Sequence, residues 1–66
     1  MEYSNSQIRE IIGEFIHSER DRAIAARKLV DDITFEQLAE EFNMSVSQIK
    51  RIVYRCASIV FRHVPG

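Results

Sequence analysis

Sixty-six residues bound the chain to one domain whose small core contributes about 3–5 kcal/mol net at this size, and they leave no room for a deep catalytic cleft. With 45% hydrophobic and 29% charged residues, two Gly and one Pro, the composition is that of a helix-rich folded domain and excludes a disordered one. The formal net charge of -1 hides an asymmetry: residues 1–44 hold five Lys/Arg against ten Asp/Glu, whereas residues 45–66 hold Lys50, Arg51, Arg55 and Arg62 against no acid. A surface that meets a polyanion draws on local rather than net charge, so the C-terminal segment is the candidate contact region.

In chain order, four hydroxyl residues announce four helices. Ser4-x-x-Gln7, Ser18-x-x-Asp21, Thr34-x-x-Gln37 and Ser45-x-x-Gln48 each place an acceptor for an orphan backbone N–H beside a side chain able to return a bond to the cap. After the first, Ile8, Ile11, Ile12, Phe15 and Ile16 recur at helical spacing and predict a helix over 5–17, with His17 capping its last carbonyls and Gly13 lowering its propensity. The second helix, over 19–30, carries Ala25, Ala26, Leu29 and Val30 on one side and Ile24 on the other. Asp32 follows it as a left-handed residue. A short third helix covers 35–42 and a fourth runs from 46 to 62, closed by Pro65 and Gly66. Nothing reads as a strand, so the fold class is all-α, a compact domain of three or four helices.

Only Asn43-Met44-Ser45 joins the third helix to the fourth. Two helices so joined cross steeply, as in a helix-turn-helix. Asn43 tolerates the left-handed conformation that ends the first of them, and Met44 plugs the angle between them. Leu38, Phe42, Ile49, Ile52 and Val53 point inward at helical spacing, with Ala39 small at the closest approach. Outward fall Ser47, Gln48, Lys50, Arg51, Tyr54 and Arg55, with Ser45 at the cap, donors suited to phosphates and base edges. Tyr54 fits a phosphate or stacking contact and the edge of the core equally. Arg62 and His63 fit either a DNA-backbone contact or a helix end. Cys56 follows the inward spacing and reads as a buried structural thiol.

The stretch ITFEQLAEEFNMSVSQIKRIVYRC, preceded by HSERDRAIAARKLVDD, resembles the fourth conserved region of bacterial sigma factors, especially the extracytoplasmic-function class. Thr34, Phe35, Glu36, Leu38, Ala39, Ser45, Val46, Ile49, Lys50 and Arg55 stand at matching places, and the likeness covers residues 18–62. Asn43 and Asp32 stand where Gly is usual, and Val46 stands where primary sigma factors carry a base-contacting Arg. The resemblance implies a single helix-turn-helix domain over 1–66, with 1–17 an N-terminal helix and 18–62 the sigma-like core. It also implies recognition of an upstream promoter element in double-stranded DNA and contact with RNA polymerase. The length leaves no place for a clamp-binding domain. The expectation is therefore a free-standing sigma-like activator of the phage or mobile-element kind, a small repressor, or half of a two-subunit sigma factor.

The competing reading is a protein-interaction module on the same scaffold, with the acidic first half binding a basic partner. In that reading the apolar edge of residues 8–16 could pair subunits. In the DNA-binding reading specificity needs a second site, either a homodimer through whatever part of Ile8, Ile12, Phe15 and Ile16 stays exposed or retention on DNA by polymerase. No nucleophile, base and orienting group converge, so no enzyme is expected. One Cys and two His in no ligand spacing imply no metal or cofactor. The start, MEYSNSQIRE, lacks signal-peptide character, and no apolar run spans a bilayer, so the expected place is the cytoplasm, away from membranes.

Overall fold

The computed structural model describes residues 4–63, and these form four α-helices in the order α1 (Asn5–Phe15), α2 (Glu19–Leu29), α3 (Phe35–Phe42) and α4 (Val46–His63). The fold is all-α, and among the described residues there is no strand. Each of the four hydroxyl residues caps its helix. Ser4 and Ser45 form reciprocal boxes with Gln7 and Gln48, whereas Ser18 and Thr34 accept from the N–H of Asp21 and Gln37 without a return bond. The Asp21 carboxylate turns instead to two arginines, Arg20 and Arg55.

Three boundaries differ from the sequence reading. Helix α1 stops at Phe15 rather than residue 17, because Ile16 is extended (φ -111°, ψ 116°) and its carbonyl oxygen accepts from the Arg22 guanidinium of α2. Ile16 thereby reaches the core while His17 lies outside the helix, exposed, and caps nothing. Helix α2 ends at Leu29, one residue early, and α4 extends one further, to His63. Pro65 and Gly66, expected to close α4, lie outside the described residues. The left-handed positions fall as expected, at Asp32 (φ 56°) and Asn43 (φ 54°). At Asn43 the reversal lets its own N–H and that of Met44 reach back to the Ala39 carbonyl, satisfying an acceptor that α3 leaves open.

Every helix contributes to one core. Ile24, Leu38, Ile49, Cys56 and Val60 are its most enclosed members, Ala25 lets α2 approach closely, and Ile8, Ile11, Ile12 and Ile16 close it from the α1 side. Burial of this kind stabilises at roughly 25 cal/mol per Å² of apolar surface removed from water. Phe42 and Met44, expected at the centre of the α3–α4 joint, are half-buried and pack on the core from outside; Leu38 is the fully buried residue of α3. The stripe expected to pair subunits is consumed within the chain: Ile8, Ile12 and Ile16 are buried, and only Phe15 stays partly exposed. Phe15 stacks on His63 with ring centroids 3.7 Å apart and planes 2° from parallel, joining the end of α1 to the end of α4. No described helix is long and apolar enough to cross a membrane.

Candidate nucleic-acid interface

Helix α4 is 18 residues long, about 27 Å at the usual rise, and carries no carboxylate. Its inner stripe is Ile49, Ile52, Val53, Cys56 and Val60. Helical periodicity then forces Ser47, Gln48, Lys50, Arg51, Tyr54, Arg55, Ser58 and Arg62 outward, and all are exposed. The sequence-derived face is thus one continuous surface, but its members are not equivalent.

Ser45 and Gln48 are occupied in capping. The Gln48 side-chain oxygen accepts from the Ser45 N–H at 3.0 Å and from its hydroxyl at 3.2 Å, while the Ser45 hydroxyl accepts from the Gln48 N–H at 3.1 Å. These bonds fix the first turn of α4 and leave Gln48 its amide N–H₂ as the outward donor. Ser47 lies between them with its hydroxyl exposed. Arg55 is held: its Nη2 donates to Oδ2 of Asp21, whose side chain is only 10% exposed, while Arg55 itself is 59% exposed. Lys50, Arg51 and Arg62 make no ion pair among the described residues, so their charge is available to an external anion.

Phe35, the first residue of α3, organises one edge of this face. The Lys28 ammonium lies 4.4 Å from its ring centroid and that of Lys50 5.6 Å, and Tyr54 meets it edge-on at 6.1 Å. Tyr54 therefore has an anchored ring, yet it is 60% exposed. Lys28 is turned inward by a bond to the Ile33 carbonyl at 3.0 Å, which removes it from the outer face.

A second charged cluster joins α2 to α3. Glu41 takes Arg27 in a bidentate pair at 2.8 and 3.1 Å, and Arg27 also reaches Asp31 at 3.4 Å. The hydrogen bonds and charge of Glu41 push the Arg27 guanidinium above its ordinary value. A shallow cleft of ≈ 360 Å³ beside them is lined by Arg27, Ile33, Gln37, Glu40 and Glu41. Cys56, at the α2–α4 contact, has its thiol pushed up by burial and secondarily by the Asp21 charge, with Arg55 opposing.

Sequence reasoning missed Asp21, Arg20 and Phe35 as organisers of the face. Asp21 sat at a capping position, which hid its tertiary role, and its partner Arg55 is 34 residues away. No protein-family model matches the chain, and no curated protein or solved structure gives a significant match.

Proposed function

We propose that the chain is a sequence-specific DNA-binding transcriptional regulator, or a free-standing sigma-like promoter-recognition protein, in which α3 and α4 act as a helix-turn-helix. In this reading the outer face of α4 enters the major groove. The observation that carries it is the set of cations on α4, Lys50, Arg51 and Arg62, that have no carboxylate partner among the described residues, where five other basic residues are paired. Lys50 and Arg51 supply phosphate or guanine contacts, Ser47 and the Gln48 amide read base edges, and Tyr54 and Arg55 flank them. In this reading Arg62, near the far end of a helix about 27 Å long, contacts a backbone phosphate outside the groove. The sigma-like form adds RNA polymerase as a second partner, and either form places the protein in the cytoplasm.

Anisotropy of a labelled duplex across a salt series is the test. About three to four phosphate contacts give a log–log slope near -3 to -4 and non-specific dissociation constants of about 10⁻⁴–10⁻⁶ M. A folded Lys50→Ala/Arg51→Ala variant is expected to lose most of this binding; unchanged affinity would remove α4 as the reading element. The second reading, a protein-interaction module, rests on the carboxylates of Glu10, Glu14, Glu19, Glu36 and Glu40, which are exposed and unpaired among the described residues. Salt-independent or absent DNA binding by the folded parent chain would favour it.

A further inference from the structure

The Asp21 carboxylate is an unusual object for a chain this small: it is nearly buried, yet both of its oxygens hold arginines that are mostly in solvent. Oδ2 accepts from Nη2 of Arg55 on α4, and Oδ1 accepts from Nε of Arg20 on α2 at 3.5 Å. The two arginine side chains are 59% and 58% exposed, against 10% for the aspartate. Asp21 is itself fixed by the Ser18 hydroxyl, which accepts its N–H at 3.3 Å. The outcome is a rigid carboxylate that presents two guanidinium groups on one patch.

One negative charge cannot neutralise two positive ones. The cluster of Arg20, Asp21 and Arg55 therefore keeps a net positive charge. Each guanidinium spends few of its five N–H donors on Asp21, and the remaining donors of Arg20 and Arg55 have no acceptor among the described residues. Long side chains already held in one place lose less conformational freedom when a ligand binds. The chemistry matched by two guanidinium groups with free donors is an oxyanion, a carboxylate or a phosphate.

The position selects which oxyanion. Arg55 lies one turn beyond Arg51 on α4, at the border of the outer face where α2 packs, so a duplex lying against Lys50 and Arg51 brings its backbone past this border. We propose that Arg20 and Arg55, held together by Asp21, form a backbone-phosphate site at the edge of the α4 face, with Arg20 contributing a DNA contact from outside the recognition helix. The site rests on the DNA-binding reading and extends it to α2. Its contribution is to affinity and placement, because phosphate contacts carry no sequence information directly.

The experiment compares the parent chain with Arg20→Ala and Arg9→Ala on a labelled random-sequence duplex, from low to moderate salt, with circular dichroism confirming the fold of each. Arg9 is an equally exposed arginine on α1, 3.9 Å from Asp31 and outside the patch. The expected result is a salt slope shallower by about 0.9 for Arg20→Ala, with several-fold weaker binding at low salt, and an unchanged slope for Arg9→Ala. A parent-like slope for Arg20→Ala, or an equal loss for Arg9→Ala, overturns the phosphate site while leaving the α4 reading in place. Absence of salt-dependent binding by the parent chain overturns both together.

Discussion

At Cys56 the chemistry of a single buried atom becomes a dependence of stability on pH. The thiol is 1% exposed, and burial first, then the Asp21 charge, raises its titration above the ordinary 9.0. A group whose folded value is raised contributes stability that is intact below the unfolded value and is lost as pH rises through the folded one. The window is therefore alkaline: the urea midpoint of the parent should hold up to about pH 9 and fall above it, and Cys56→Ala should flatten that part of the profile. A parent and variant with parallel alkaline profiles would refute the assignment. Leu38 and Phe42 make a second contrast at this scale. Leu38→Ala empties a fully enclosed site and should cost about 2–5 kcal/mol, comparable to the whole stability of so small a domain. Phe42 is half-buried, so Phe42→Ala should leave a folded, weakened protein. Circular dichroism melts of the two variants give the order, and a more severe loss at Phe42 would reverse it.

Single helices were legible where their signals are local. A cap hydroxyl, the residue three positions on and a stripe at helical spacing all lie within one or two turns, so the starts of α1, α2, α3 and α4 and the left-handed Asn43 and Asp32 could be read directly. The end of α1 could not, because Ile16 leaves the helix to reach the core and is held there by Arg22 from α2, a tertiary contact that no local pattern encodes. The same limit applies to the face of α4. Its exposure followed from periodicity, whereas the capture of Arg55 by Asp21 depends on how α2 lies against α4. Helix α1 also offers a direct test of propensity against packing. A Cβ added at Gly13 meets nothing within 4 Å, so Gly13→Ala should gain about 0.5–1 kcal/mol in a urea titration. Asn43→Gly should be neutral or slightly stabilising, since the φ of 54° costs glycine no steric penalty. Destabilisation by Gly13→Ala would mean that something other than propensity governs this turn.

For the molecule as a whole, charge is sorted by helix. Arg27, Lys28, Arg20 and Arg55 pair with Glu41, Asp31, Asp32 and Asp21, while Lys50, Arg51 and Arg62 of α4 make no ion pair among the described residues. A body of this kind has an electrostatic orientation despite a net charge of -1. Its approach to a polyanion is steered with α4 leading, and the steering fades over about 8–10 Å at ordinary salt. The stack of Phe15 on His63 has a separate consequence, for the order in which the structure comes apart. A long terminal helix ordinarily frays from its free end, losing amide protection turn by turn. Here the last described turn of α4 is clasped to the last turn of α1, so peeling either helix requires releasing the other. Native-state hydrogen exchange should accordingly show the amides around Val60 and those around Ile12 opening as one cooperative unit. His63→Ala should split that unit into a fast-exchanging α4 end and a still-protected α1.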